Sequence, residues 1–414
     1  MSKPIATTIW LVFLLATSSF LNFVQYHAVF DFEQKETNTA KLGLDHFKTY
    51  QDKNTLNRGN WSEEVERIPD QHRCAFCFFG LPRSYRVMVL PSIVQNILIP
   101  NARYNCDIFV HYFDQEEEQA GRMNRGGTID STEIFLLENA AKDIASKYHP
   151  VAGNSPQRPS PHVGFTSDTE AQFLQKRGRA LQKFHNTVGP DGKPVYYPWN
   201  RPEWTKSSLD NVVKQWHSIQ SSFELMEDYA NNANVTYNRV GMFRSDSMYL
   251  TPINIAMLDR NFVDSENHYA VVGPFGRHPV NDRMVYGPYE AVKIWSTKRF
   301  DLIEERANDK RHEGNVMHSE EFLHGSIFPA IESLGFEKHV NEDICFIRTR
   351  ADNSAIISDC ERGGHTRDWE GVDKQALVER ISQQKCSPPG VRKCTGCNRK
   401  WRFIDCQEKI EDAQ

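Results

Sequence analysis

The first residues with chemistry in them follow the apolar run Cys74 to Phe79, in Gly80-Leu81-Pro82-Arg83-Ser84-Tyr85-Arg86. Backbone N–H groups at a strand-to-helix turn favour anions, and Arg83 and Arg86 add charge-assisted donors. The loop suits the phosphates of an activated donor. The plainer alternative is a turn whose arginines pair with surface acids.

A second group, Phe243-Arg244-Ser245-Asp246-Ser247-Met248-Tyr249, ends another apolar run. Asp246 is placed to hold a divalent cation on a diphosphate, since Mg²⁺ and Mn²⁺ take one or two carboxylates plus phosphate oxygens. Arg244 offers direct neutralisation instead, and a turn-capping Asp246 is the alternative. Asn281-Asp282-Arg283 precedes a Gly-Pro helix start. It is read either as a contact for a polyol acceptor, with Asp282 as general base, or as a turn. His318, Glu320, Glu321 and His324 form the fourth group. Glu320 and His324 stand four apart, hence on one helix face. The spacing is not H-E-x-x-H, which leaves a capping turn, a carboxylate base or a metal site.

Nine cysteines are present. Alternation along a strand puts Cys74 and Cys77 on opposite faces, against mutual pairing or a redox role. Cys386, Cys394, Cys397 and Cys406 lie in a basic tail and suit two disulfides or a zinc site. Asn60-Trp61-Ser62 and Asn234-Val235-Thr236 are acceptor sequons for N-glycosylation.

These groups need elements to position them. The chain has 414 residues, 49 Lys+Arg against 54 Asp+Glu, and a net charge of −5, with no drive toward nucleic acid. Residues 5–24 are apolar and follow Lys3, matching a bilayer-spanning helix of about 30 Å. An uncleaved signal anchor is preferred to a cleaved signal peptide, with the N-terminus cytosolic and the bulk lumenal. Residues 1–30 are thus tip and anchor, 31–72 a stem, 73–360 the folded domain, and 361–414 the basic Cys-rich tail. Cys74–Phe79 and Cys106–Phe113 read as strands around a helix restarting at Pro91, a βαβ unit with a parallel sheet. Residues 114–204 break the rhythm and read as an insertion or long surface loop, helical near Ile134–Ala145. Ser207 to Ala230 carries a helical apolar stripe, with Ser207 and Asp210 as a capping box. Strands over Arg239–Phe243 and His268–Gly273 follow, then helices from Pro288 and from a Ser319 cap. "ICFIRT" is expected to close the sheet. The fold class is α/β, a mostly parallel central sheet flanked by helices, with an N-terminal transmembrane helix.

The sequence of anchor, stem, "FFGLPRSY", "YNCDIFVHYF", "RVGMFRSDSMYLTP" and "NDRMVYGPYEAVKIW" resembles single-pass, Golgi-type glycosyltransferases of GT-A-like fold. It is most similar to a glycosyltransferase-like group of algae and other protists. The resemblance spans about residues 73–350. It implies transfer of a sugar from a nucleotide sugar to a glycan or glycoprotein, in the Golgi or endoplasmic reticulum membrane. It further implies Gly80, Arg83 and Ser84 near the nucleotide, Asp246 near metal (Mn²⁺ or Mg²⁺) or phosphate, and Asp282 with Glu320 or Glu321 near the acceptor. The family's Asp-x-Asp reads Arg244-Ser245-Asp246 here, lacking the first acid. Two other readings stay open. One is a Golgi sulfotransferase, although Tyr85-Arg86 replaces the small pair of its phosphosulfate loop. The other is a non-catalytic, membrane-tethered glycan-binding protein.

Overall fold

In the computed structural model the described residues are 73–120, 125–148, 160–198, 206–258, 268–274 and 278–356, with short strands at Arg392–Lys393 and Arg402–Asp405. All belong to the unit Ile68–Gln414. The expected anchor, stem, Asn60 and the cysteines of the tail lie outside them. Among the described residues no helix is long and apolar enough to cross a membrane.

The apolar run at the start of the domain forms β1 (Arg73–Gly80), buried over its six central residues. A helical stretch, α1, follows without a break as Tyr85–Val89, Leu90–Ile93, Val94–Leu98 and Ile99–Tyr104. The expected restart at Pro91 does not occur. Wider turns on both sides of Pro91 absorb its missing N–H and its ring. β2 (Asp107–Phe113) then pairs parallel to β1, completing the βαβ unit.

Residues 114–204 are not a surface loop. They supply α2 (Leu136–Tyr148), β3 (Val163–Asp168) and α3 (Glu170–Asn186), and β3 pairs parallel to β2 as an edge strand of the central sheet. The Gly-, Pro- and charge-rich composition around β3 hides it, because an edge strand needs only one partner and little apolar character. Thr169 and Gln172 form a capping box that starts α3.

α4 (Lys206–Ala233) carries the apolar stripe into the core, where Leu209, Val213, Trp216, Ile219, Phe223 and Met226 are fully or almost fully buried. Ser207 lies within this helix, and Asp210 reaches His185 at 2.6 Å instead of capping. β4 (Tyr237–Arg244) and β5 (Ser247–Tyr249) follow, then β6 (Tyr269–Val272) and β7 (Met284–Pro288). β7 occupies most of the segment expected as a loop before a helix. α5 (Tyr289–Thr297) and α6 (Arg299–Asn308) lead to α7, built from Ser319–Phe322, Leu323–Ile327 and Phe328–Glu332. Its cap is His318, whose side chain accepts from the Glu321 N–H, and not Ser319. β8 (Glu337–Val340) completes the sheet, and β9 (Phe346–Arg348) and β10 (Ser354–Ile356) follow.

The central sheet runs β8-β6-β7-β4-β1-β2-β3. β7 is antiparallel to both neighbours and the other pairings are parallel. "ICFIRT" does not close this sheet. Its β9 pairs antiparallel with β5 in a separate ladder, Phe346 opposite Tyr249 and Arg348 opposite Ser247. Alternation along β1 divides the core. Cys77 and Phe79 join α4 and Trp295 on one side, while Phe76 and Phe78 meet α1 and Tyr249 on the other. Each fully buried Phe is worth about 1.5–3 kcal/mol of apolar transfer. Cys74 bonds to Cys106 and Cys77 remains a buried thiol, so the two faces separate the C-x-x-C as expected. Cys345 is also disulfide-bonded.

Candidate functional site

β1 and β4 are adjacent and parallel, with Phe79 opposite Arg244, so both strands end at one sheet edge. Gly80 turns the chain away there with φ +110°, a conformation that favours glycine. Its N–H donates to Ser218 Oγ at 2.8 Å. Ser84 adopts the left-handed region at φ +47° and donates its hydroxyl to the Arg350 carbonyl. Ser245 N–H bonds back to Phe79 O at 2.8 Å. These ties bring Arg83 Nη1 to Asp246 Oδ2 at 2.6 Å. Arg244 grips the same carboxylate with Nε and Nη2, both at 2.7 Å. Asp246 is 1% exposed. Burial by itself would raise its carboxyl, but the Arg244 and Arg83 guanidiniums hold it far below the usual carboxylate range.

The ladder of β5 with β9 brings two more arginines. Thr349 donates its N–H to the Asp246 carbonyl at 2.9 Å, which fixes Arg348 and Arg350 beside the cluster. Burial lowers the Arg350 guanidinium to about 9, and Arg83 and Arg348 push it the same way against the pull of Glu118 and Asp246. Glu118, from the segment expected as an insertion, meets Arg83 Nη2 at 2.9 Å and Arg350 Nη1 at 3.8 Å. Three guanidiniums, Arg83, Arg244 and Arg350, therefore gather around Asp246 and Glu118. Arg83, Arg244 and Arg350 keep 16%, 16% and 11% of their side chains exposed, so the mostly buried group retains some solvent access. Asp246 does not fit a Mn²⁺ or Mg²⁺ ligand: both oxygens already accept from guanidiniums, and an ion would have to displace one.

A polar chain continues toward β7. Arg244 Nη1 donates to Gln215 Oε1 at 3.1 Å, and Gln215 Nε2 donates to Asp282 Oδ2 at 3.0 Å. Arg283 Nη1 lies 2.7 Å from Asp282 Oδ1, a charge contact without hydrogen-bond alignment, and donates to Glu320 Oε1 at 3.0 Å. Burial favours a protonated Asp282, but Arg283, Arg244 and the Gln215 bond hold its carboxyl at about 2. Glu320 is buried, whereas Glu321 keeps 39% of its side chain exposed and lies 3.5 Å from His278 Nδ1. Glu320 and His324 do not share a face. Past Phe322 the helix widens over Leu323–Ile327, and His324 is exposed beside Lys338.

A second polar cluster, not anticipated from the sequence, joins the ends of β2 and β3 to α4. Asp168 Oδ2 accepts from His217 Nε2 at 2.6 Å and His111 Nε2 at 3.2 Å, and its Oδ1 accepts from Lys176 at 2.6 Å. Arg177 Nε donates to His217 Nδ1 at 3.2 Å, which fixes the tautomer. His111 Nδ1 accepts from Ser218 Oγ at 2.7 Å. Ser218, His111 and Asp168 thus have the connectivity of a hydrolytic triad. Ser218 is fully buried, however, and its oxygen holds the Gly80 N–H, so it pins the loop and is closed to substrate. Burial drops His217 to about 4 and lowers His111.

Of the residues singled out from the sequence, Gly80, Arg83, Ser84, Arg244 and Asp246 lie at one edge, and Asp282 connects to them through Gln215. Arg86 is exposed, with its backbone N–H on Glu133 at 3.0 Å. Asn234 is exposed just beyond α4 with φ +51°. Glu118, Gln215, Arg348, Arg350 and His278 had no expected role. The one local signal was Arg348 and Arg350 two apart after an apolar strand.

No family model and no curated protein matches the chain. Among solved structures, it is similar to a nucleoside-diphosphate-sugar pyrophosphorylase from Vibrio cholerae RC9, at 8% identity and TM-score 0.27, covering 66% of this chain and 94% of that one. It is also similar to mouse xyloside xylosyltransferase 1, apo form, at 10% identity and TM-score 0.24, covering 65% of this chain and 84% of that one.

Proposed function

We propose that this chain is a glycosyltransferase that binds the diphosphate of a nucleotide sugar with arginines in place of a metal. The observation that supports it is the gathering of Arg83, Arg244 and Arg350 around Asp246 at the carboxyl edge of parallel strands, where ligands of open α/β sheets bind, with Arg348 acting on Arg350 and Asp282 beside them. Asp246 organises these guanidiniums and touches no phosphate itself. Arginine forks suit phosphate oxygens, and the depressed Arg350 marks a place where added negative charge is favourable.

In the transfer an acceptor hydroxyl oxygen bonds to the anomeric carbon and the bond from that carbon to the phosphate oxygen breaks. The nucleoside diphosphate leaves with the electron pair, stabilised by Arg83, Arg348 and Arg350. The hydroxyl proton goes to a carboxylate. Asp282, held at about 2, is a poor base. Glu321, half exposed at the same edge, takes that role. The N-terminal apolar segment as a bilayer anchor, a lumenal location and a glycan or glycoprotein acceptor belong to the same reading. The Cys74–Cys106 bond and the exposed Asn234 sequon are in keeping with it.

Thermal shift against UDP, GDP and adenosine 3′,5′-bisphosphate tests the proposal. A ligand at a hundred times its Kd adds about 2.7 kcal/mol. Stabilisation by UDP or GDP is expected. Stabilisation by the bisphosphate alone points to sulfate transfer, and no response from any of the three leaves a tethered, non-catalytic protein.

A further inference from the structure

Two groups of metal-ligating side chains lie among the described residues: His111, Asp168 and His217, and His278, His318 and Glu320. In each the ligand atoms fall within 4.8 Å of one another. Their surroundings differ. Asp168 already holds Lys176 on one oxygen and two imidazole N–H groups on the other, and Arg177 occupies His217. A cation there would face a lysine and an arginine and would displace two donors, so this group is a closed polar network.

The second group is open to solvent on the His278 side, whose side chain is 24% exposed, and closed on the other by buried His318 and Glu320. The two imidazole rings are neighbours, with centroids 4.8 Å apart and planes tilted by 40°. Glu320 turns one oxygen to Arg283 and the other to within 3.6 Å of His318 Nδ1. Two imidazoles and one carboxylate with a solvent-facing side make a set for a borderline divalent ion that keeps a water ligand. Mg²⁺, which prefers oxygen ligands, is disfavoured.

We propose that His278, His318 and Glu320 bind a divalent transition ion of the Zn²⁺ class. The ion ties the segment before β7 to the start of α7 and holds Asp282 and Arg283 between them. Metal–ligand bonds of about 2.0–2.2 Å require the three ligand atoms, now within 4.8 Å of one another, to draw together around the ion. The proposal stands beside the nucleotide-sugar reading and does not depend on it, because Zn²⁺ binding needs no nucleotide.

The test is calorimetric titration of Zn²⁺ into the full chain, metal-stripped and treated with iodoacetamide to block accessible thiols. Co²⁺ substitution is followed by visible absorption in parallel. The variants are His278→Ala and His318→Asn. Asn is a strong helix cap, so the second variant keeps the capping role of His318 while removing its imidazole. One bound equivalent is expected, with Co²⁺ bands of a nitrogen and oxygen site lacking thiolate charge transfer. Each variant should weaken binding at least tenfold with native circular dichroism. Absence of a bound equivalent, or unchanged binding in either variant, overturns the proposal.

Discussion

Arg83 and Asp246 stand 163 residues apart in the chain and 2.6 Å apart in the fold. Parallel pairing of β1 and β4 causes this, because it ends both strands at one edge and sets the loops after them side by side. The same carboxylate is held by the bidentate fork of Arg244. A buried carboxylate with two guanidiniums fixes where both cations point, and that is its main structural effect.

Replacing Asp246 by Asn removes the charge but not the shape. Breaking a buried ion pair costs about 3–5 kcal/mol. We expect that loss in urea melts at pH 7. The Asp246 carboxyl is depressed in the fold, so its contribution is complete above the unfolded carboxylate value of about 3.9 and fades as pH falls below it. The difference between the unaltered chain and the variant should therefore shrink below about pH 4. A constant difference down to pH 2 would show that the pairing is not what stabilises this edge.

Anion binding should follow the arginines. Inorganic pyrophosphate is expected to raise Tm, and the gain should diminish with added salt. Arg350→Gln and Arg83→Gln should each weaken pyrophosphate binding about ten- to a hundredfold, the worth of one or two charge-assisted hydrogen bonds. Arg86→Gln, at an exposed position whose backbone alone bonds Glu133, should change it little. Equal effects at all three positions would point to diffuse surface charge.

The histidine network makes stability pH-dependent in a separate window. His217 titrates at about 4 in the fold and near 6.5 when unfolded. Between those values the unfolded chain binds more protons, so stability falls as pH drops from about 6.5 to about 4. Asp168, also depressed, adds a further loss below its unfolded value. His217→Gln should flatten the upper window in chemical-denaturation curves taken across that range. A profile identical to the unaltered chain would rule out His217 as its source.

The Cys74–Cys106 bond joins the start of β1 to the start of β2 across a sequence separation of 32. Chain-entropy arguments assign such a loop about 3.7 kcal/mol. A Cys74→Ala, Cys106→Ala double variant should lose about that much in denaturant titrations, with Cys77 still unreactive to alkylation in the native state. Rapid labelling of Cys77 under native conditions would mean that β1 opens when the bond is absent.

Much of the frame was legible from periodicity. The short apolar runs at β1, β2, β4 and β6 and the helical stripe from Leu209 to Met226 each carry their own pattern, a central strand covered on both faces or a helix with one buried face. β3 and β7 were not legible. Val163–Asp168 is an edge strand of half-buried residues, and Met284–Pro288 is a short antiparallel strand whose Gly-Pro ending imitates a loop. Both are strands because of their neighbours.

The sequence alone singled out Arg83, Arg244, Asp246, Asp282 and Glu320 as candidates, because each stands in a local pattern that announces itself. Only the tertiary structure decided what those residues do to one another. It committed both Asp246 oxygens to arginines, drew in Glu118, Gln215, Arg348 and Arg350 from distant segments, and set His278 beside His318. Electrostatic coupling depends on distances of a few ångströms across strands that are far apart in the chain, and residue type and spacing do not encode those distances.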